Sequence, residues 1–173
     1  MSFKKIIRFA CAEYASELNR TIENLTDEER RFVPNPNSHH IDFIIWHMAR
    51  VEDTWINTFA KKDIQIWDEQ NWPTKLNLNI RMDEPRSGWG WGIDQVNTMP
   101  RFEFRKLIDY LETVRNCTDT YIDSLNEVDM KVCPDKNRPD YSIAQMLGHI
   151  VVEQSQHIGQ ISYIRGMLRG IDG

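Results

Sequence analysis

Residues 142–170, SIAQMLGHIVVEQSQHIGQISYIRGMLRG, carry the clearest structural signal in this chain. Apolar residues recur through the stretch at steps of three and four, which is the period of a helix with one buried face. Ser142 and Gln145 match the capping-box pattern at its start, and Gly170 follows the last position of the repeat. The stretch therefore predicts a long helix that begins after Ser142 and ends at about Arg169.

Three further segments of the chain have the same helical period. They are residues from about 2 to 25, from about 38 to 60 with Ser38 as the N-cap, and from 94 or 100 to about 125. Four long helices without any strand pattern predict an all-α fold, a helical bundle. The length of 173 residues suits a single domain, which we expect to span residues 1–173.

The segments between the helices carry fewer signals. Thr26 and Glu29 match a second capping box, which predicts a short helical turn. Residues 61–93 contain two prolines and the stretch SGWGWG, so we expect a long loop with one short helix near residues 64–69. Loops of this length commonly have a function or pack as an ordered lid. Trp89 and Trp91 are therefore interpreted either as a lid or as rings that pack across the helix ends.

Composition excludes several classes of protein. The chain has 21 Lys and Arg against 26 Asp and Glu, a net charge of −5, which argues against a nucleic-acid partner. No run of 18 apolar residues is present, so no membrane span is expected, and charges interrupt the apolar N-terminal stretch as they would not in a secretory signal. Cys11, Cys117 and Cys133 form no CxxC pair. We interpret them as isolated, buried, reduced thiols of a cytoplasmic protein.

The polar residues of the fourth predicted helix suggest chemistry. His149, Glu153 and His157 follow one another at four-residue steps, so their side chains share one face of the helix beside an apolar stripe. Burying such groups without partners costs roughly several kcal/mol each, and coordination of a metal ion would remove that cost. The alternative is that they are ordinary hydrogen-bonded core groups.

The second predicted helix offers a further ligand. His47 lies in an apolar run, and in a bundle this helix can face the fourth one. His47, Glu153 and His157 would then provide three protein ligands and leave one position open for water or substrate, as in catalytic metal sites. His149 is the reserve ligand or an outer-shell partner, and Gln160 could orient His157. No residue can be assigned as the general base.

Other polar residues have structural interpretations. His39 and His40 lie at a helix start and are expected to be solvated or capping groups. Glu52 and Asp53 are expected to form salt bridges within the bundle or at an interface, with Glu52 as a secondary candidate for the site. Arg165 is interpreted as a structural salt-bridge partner or as a group that binds a substrate carboxylate.

The two histidine-bearing stretches resemble a known family. WHMARVEDTW, followed about a hundred residues later by HIVVEQSQHIGQISYIRGMLRG, is similar to the DinB-like superfamily, also called the DinB/YfiT-like metalloenzymes. Its most specific part is His157-Ile-Gly-Gln-Ile161, which matches the ending H-x-G-Q-I of that family. The resemblance also extends to helix order and length over nearly the whole chain.

This resemblance implies an up-down-down-up four-helix bundle that is often dimeric and binds a divalent metal, frequently zinc or nickel. The family's ligands are one His on the second helix and an H-x3-H pair on the fourth, which correspond to His47 and to positions 153 and 157. The chain departs from the commonest pattern because position 153 is Glu. A carboxylate is a competent ligand for zinc, manganese or iron, so the departure bears on which metal is preferred.

The resemblance also implies a reaction class. Relatives include thiol S-transferases that use bacillithiol or mycothiol and a mycothiol-dependent maleylpyruvate isomerase. We therefore expect a small-molecule substrate, a low-molecular-weight thiol as co-substrate, and thiol transfer or metal-assisted hydrolysis by a homodimer. The alternative is a non-catalytic dimeric scaffold or small-molecule binding protein with a vestigial metal site.

Overall fold

The computed structural model describes residues 3–78 and 87–170, and within these ranges it contains helices and no strand. The long helices run from Phe3 to Ile22 (α1), Ile41 to Asp53 (α3), Phe104 to Ser124 (α7) and Ile143 to Arg169 (α8). Shorter helices run from Asp27 to Arg30 (α2), Ile66 to Glu69 (α4), Trp72 to Lys75 (α5) and Ile93 to Asn97 (α6). Helix α3 continues without a break into π-helical turns from Thr54 to Lys61. The all-α prediction is confirmed.

Helix α3 is the central element of the bundle. It packs against α7 and α8, while α1 packs mainly against α8. Every residue from Ile41 to Asp53 is buried, although the segment includes five charged or histidine side chains. A helix that is covered on all sides cannot leave its polar groups in water, so each of them needs a partner inside the protein.

The start of α3 differs from the sequence prediction. The N-cap is His40, whose Nδ1 accepts a hydrogen bond of 3.0 Å from the backbone N–H of Phe43. Ser38 instead closes the preceding turn, where its hydroxyl donates to the carbonyl of Asn35 at 2.8 Å. The prediction of Ser38 as the cap is therefore wrong, because the turn at residues 35–38 uses this hydroxyl and the ring of His40 accepts from the free amide of the third helical residue.

A buried polar network fixes the C-terminal end of α3. Asp53 and Arg50 form an ion pair of 3.3 Å, and both side chains are fully buried. The Asp53 carboxylate also accepts hydrogen bonds from the Tyr110 hydroxyl at 2.9 Å and from the backbone N–H groups of Ile66 and Trp67 at 3.0 and 2.9 Å. This carboxylate therefore joins α3 to α7 and anchors the start of α4, as a salt bridge inside the bundle.

The long connection predicted for residues 61–93 contains more structure than expected. The short helix predicted near residues 64–69 is confirmed as α4, but no separate signal in the sequence indicated α5. Residues 79–86, with Pro85, lie outside the described part of the chain. The predicted third helix is divided: α6 ends at Asn97, and α7 begins only at Phe104. Pro100 lies in the extended stretch between them, where its lack of an N–H disfavours a continuous helix.

The two predicted capping boxes are confirmed. Thr26 caps α2 together with Glu29, and Ser142 caps α8 together with Gln145. Helix α8 ends at Arg169, and the C-cap Gly170 has a φ of 79°, which is unfavourable for residues that carry a Cβ. Among the described residues, no helix has the length and apolar character needed to cross a membrane.

Candidate metal centre

Helices α3 and α8 bring three of the predicted ligands together. The Glu153 Oε1 atom lies 3.5 Å from His47 Nε2 and 3.1 Å from His157 Nε2. One ligand atom from each of the three residues lies within 4.8 Å of the other two. Next to this cluster, the Gln154 side chain donates a hydrogen bond of 3.0 Å to the carbonyl of Met48 and so holds α8 against α3.

The second nitrogen of each imidazole has its own partner. The Nδ1 of His47 lies 2.6 Å from the carbonyl oxygen of Ser87. A carbonyl only accepts, so this nitrogen carries the proton and Nε2 is left to face the cluster. The Nδ1 of His157 likewise lies 2.8 Å from Oε1 of Gln160. Such outer partners, which orient the ring and set the tautomer, are typical of histidines that bind metals.

The contacts of Glu153 with the two histidines have nearly the spacing of ligands around a small divalent ion. Metal–ligand distances of about 2.0–2.2 Å in a tetrahedral site put neighbouring ligand atoms about 3.3–3.6 Å apart. The two distances to the Glu153 oxygen, 3.5 and 3.1 Å, are close to this range. Two imidazoles and one carboxylate form a donor set that suits zinc, manganese or iron, and three protein ligands leave one coordination position open.

The electrostatics of the cluster favour an ionised carboxylate. Hydrogen bonds from His157 and His47 hold the pKa of Glu153 well below its usual range. Burial lowers the pKa of His157, but its hydrogen bonds to Glu153 and Gln160 outweigh burial and raise this pKa. His157 Nε2 faces the Glu153 oxygen, so a proton on this nitrogen and a metal ion would compete for the same place. Metal binding must therefore displace protons, and it should weaken as the pH falls.

The loop that follows residue 86 packs over the His47 end of the site. Gly88 has a φ of 80°, and a Cβ built on it would lie 2.6 Å from Cζ3 of Trp46. Trp91 is buried against Trp46, with 5.1 Å between ring centroids, whereas Trp89 is 75% exposed. Trp91 therefore packs against the bundle, as one of the two interpretations predicted, whereas Trp89 lies at the surface.

The remaining histidines of the prediction lie elsewhere. His149, the reserve ligand, packs against the ring of Trp55 with 4.6 Å between centroids and does not belong to the three-residue cluster. His39 is exposed, as expected for a solvated group, and packs on Phe43 with 4.2 Å between ring centroids. His40 is a capping group, as expected, but it is buried rather than solvated.

Arg165 and the three cysteines lie outside the three-residue cluster. Arg165 donates hydrogen bonds of 3.0 and 2.8 Å to the carbonyls of Thr21 and Glu23, which ties α8 to the end of α1. The prediction of buried thiols holds for Cys11 but is wrong for Cys133, which is exposed; Cys117 is intermediate.

Among the described residues, Glu52 also lacks the expected salt bridge. This side chain is fully buried, and neither carboxylate oxygen has a hydrogen-bond partner among the described residues. Glu52 lies on the side of α3 that α1 and α7 cover, and although Arg115 of α7 lines the same cavity, the two side chains form no ion pair, so the prediction is wrong.

Sequence reasoning missed the role of the Ser87 carbonyl. A backbone acceptor leaves no residue-type signal of its own. The only sign was indirect: glycines that alternate with tryptophans permit close approach of the backbone to aromatic side chains, as Gly88 approaches Trp46.

Comparisons with known proteins bear on the family and on the fold of the chain. A family model described as the DinB superfamily matches residues 13–161. A solved structure, described as the conserved protein of a locus from Enterococcus faecalis, superimposes with a TM-score of 0.83. Its sequence is 22% identical, and the alignment covers 98% of this chain and 99% of the other, so it supports the fold alone. No curated protein matches the chain.

Proposed function

The chain belongs to the DinB superfamily, and from this premise we propose that it is a divalent-metal-dependent enzyme that acts on a small molecule. We propose His47, Glu153 and His157 as the metal ligands. The observation that carries the proposal is that both imidazoles direct Nε2 toward the same Glu153 oxygen while separate acceptors hold their Nδ1 atoms.

The open coordination position and the exposure of the site suggest the reaction. His47 is 6% exposed, whereas Glu153 and His157 on α8 are partly open to solvent, so a small molecule can approach from the α8 side. A divalent ion bound there supplies Lewis acidity that lowers the pKa of a coordinated thiol or water. Because the chain resembles DinB-like thiol S-transferases, we propose transfer of a low-molecular-weight thiol as the reaction, with metal-assisted hydrolysis as the second candidate.

Metal stoichiometry tests the proposed site first. The purified protein, incubated with zinc, nickel, manganese or iron(II) and then desalted, is expected to retain about one ion per chain. The variants His47→Ala and His157→Ala should lose it with their helix content unchanged. His149→Ala is the matched control, because it removes an imidazole from the same helix but outside the cluster, and it should retain the ion.

The outcomes separate the proposal from its alternative. Retention of a full equivalent in both cluster variants would refute the ligand assignment. Failure of the wild-type protein to retain any of the four metals would favour a non-catalytic scaffold or binding protein. Once a site is established, the loaded protein is assayed with an electrophilic acceptor plus bacillithiol, mycothiol or glutathione, and separately with ester and amide substrates. His149→Ala is again the control for each activity.

We further propose that the protein is a cytoplasmic homodimer that pairs through the face formed by α1 and α8. A groove of about 520 Å³ between these helices has mainly apolar walls, and Phe9 on its edge is 67% exposed. An exposed apolar surface of this kind commonly marks an interface. Phe9→Glu is expected to convert a dimer into a monomer in light scattering after size exclusion. A wild-type protein that is monomeric at high micromolar concentration would contradict the proposal.

A further inference from the structure

The far side of α3 from the metal centre holds a buried carboxylate without a partner. Glu52 follows His47 by five positions, which turns its side chain about 140° around the helix axis. It is 0% exposed, and both of its carboxylate oxygens lack a hydrogen-bond partner among the described residues. The Thr118 hydroxyl is close enough to lower the pKa of Glu52, but it donates its single proton to the carbonyl of Val114 at 3.2 Å and so leaves the carboxylate without a full hydrogen bond. A buried unpaired carboxylate is costly, so this arrangement calls for a ligand.

Glu52 lines a small cavity between α1, α3 and α7. The cavity has a volume of about 100 Å³. Its wall contains Arg8, Cys11 and Tyr14 from α1 and Arg115 and Asp119 from α7. The side chains of Arg8 and Asp119 are 39% and 45% exposed and form an ion pair of 2.6 Å, so they mark the mouth, and the fully buried Glu52 lies at the base.

The opposite wall presents unpaired donors. The Nε and Nη2 atoms of Arg115 are sealed from solvent and have no hydrogen-bond partner among the described residues. The guanidinium group lies over the ring of Tyr14, 4.5 Å from its centroid, which fixes its plane. Nε and Nη2 form the edge of a guanidinium group that binds a carboxylate through two parallel hydrogen bonds.

We propose that this cavity is a second ligand site that binds a small zwitterion of the size of glycine, with its carboxylate on the Nε/Nη2 edge of Arg115 and its ammonium group on Glu52. The volume accommodates about three water molecules at about 30 Å³ each, or one molecule of about five linked heavy atoms. A simple anion would leave Glu52 unpaired, and a simple cation would leave Arg115 unpaired. A zwitterion satisfies both groups.

The protonation of the cavity supports a non-covalent role. Burial raises the pKa of Glu52 against the opposing effect of Arg115, and a bound ammonium group would relieve this cost. Burial also raises the pKa of the Cys11 thiol to about 11. This thiol is therefore protonated at neutral pH, and it provides no thiolate for covalent chemistry.

The test combines titration in solution with crystallography. The full-length, isotope-labelled protein is titrated with glycine and followed by backbone amide shifts, with acetate and methylammonium as half-ligands. Glycine is expected to give saturable shifts at residues that line the cavity, and each half-ligand should bind at least tenfold more weakly. Glu52→Gln preserves the shape of the side chain and should weaken glycine binding at least tenfold. Glu112→Gln, at an exposed position of α7, is the control and should not change it.

Crystals of the wild-type protein grown with and without glycine make the test independent of the variants. Density for glycine between Arg115 and Glu52 is the expected result. Water alone in both crystals, or a direct Glu52–Arg115 ion pair that closes the cavity, would overturn the proposal. Equal glycine affinities of the wild type and Glu52→Gln would also overturn it. His47→Ala should bind glycine normally, so the outcome does not depend on the metal site.

Discussion

The substitution Gly88→Ala tests how the loop supports the metal centre. Gly88 has a φ of 80°, and its added Cβ would lie 2.6 Å from Cζ3 of Trp46 and 3.2 Å from the ring of Phe43. Trp46 is fully buried and contacts the rings of Trp67 and Trp91, so it has little room to move. We expect the loop backbone to move away instead.

Gly90→Ala provides the matched control. Gly90 has a similar φ of 75°, but a Cβ added there would meet no atom within 4 Å. Both substitutions therefore place a Cβ in the left-handed region, at a cost of about 1–2 kcal/mol. Only Gly88→Ala adds a steric overlap inside a packed core, which costs about a further 1–3 kcal/mol. The free energy of unfolding should thus fall by about 2–5 kcal/mol for Gly88→Ala and by about 1–2 kcal/mol for Gly90→Ala.

The same movement should affect metal binding. A shift of the loop breaks the 2.6 Å hydrogen bond between the Ser87 carbonyl and Nδ1 of His47. Loss of such an outer partner typically lowers metal affinity 10–100-fold. Urea denaturation gives the free energies, and competition with a chromophoric chelator gives the metal affinity. Equal losses of stability in Gly88→Ala and Gly90→Ala, or unchanged metal affinity in Gly88→Ala, would refute this reasoning.

Three further predictions concern pH and ligand linkage. Burial lowers the pKa of His40 from 6.5 to about 3, so its stabilising effect is complete above pH 6.5 and is lost as the pH falls toward 3. The variant His40→Asn keeps a capping side chain that does not titrate. Between pH 7 and 5 the wild type should therefore lose about 2 kcal/mol more of its free energy of unfolding than this variant. Urea denaturation measures both, and an equal loss in the two proteins would contradict the prediction. The hydrogen bond from Arg169 lowers the pKa of Glu29 to about 2. The ion pair therefore stabilises the fold above about pH 4.5, and this stabilisation is lost as the pH falls toward 2. The stability of Glu29→Gln should depend less on pH in this range. A Glu29 carboxyl resonance that titrates near 4.5 would count against the ion pair. Zinc at one hundred times its Kd should raise the free energy of unfolding by about 2.7 kcal/mol, and an unchanged melting temperature would argue against binding to the native state.

Local sequence was sufficient where the structure depends on neighbours along one helix. The capping box of Ser142 and Gln145, the stop at Gly170 and the period of α8 are properties of contiguous residues. The contact between Glu153 and His157 follows in the same way, because side chains four positions apart are neighbours on any helix. The contact between two of the three candidate ligands could therefore be predicted without knowledge of the tertiary structure.

The sequence pattern could not predict which of two neighbouring residues caps a helix. Ser38 and His40 can both cap a helix, and the preceding turn decides between them by engaging the Ser38 hydroxyl. The helical period continued through residue 60 and gave no sign that the regular α-helical turns of α3 end at Asp53, where one carboxylate accepts hydrogen bonds from the start of α4.

The tertiary structure alone decided how distant residues meet. Periodicity placed His47 in an apolar run, but its contact with Glu153 depends on the packing of α3 against α8. Its contact with the Ser87 carbonyl depends on a loop residue 40 positions further along the chain. The burial of Glu52 likewise depends on α1 and α7 covering the far side of α3. Helical geometry is set by hydrogen bonds between residues four positions apart and can therefore be predicted from local sequence. The surroundings of a central helix are set by which elements cover it, and that depends on the whole chain.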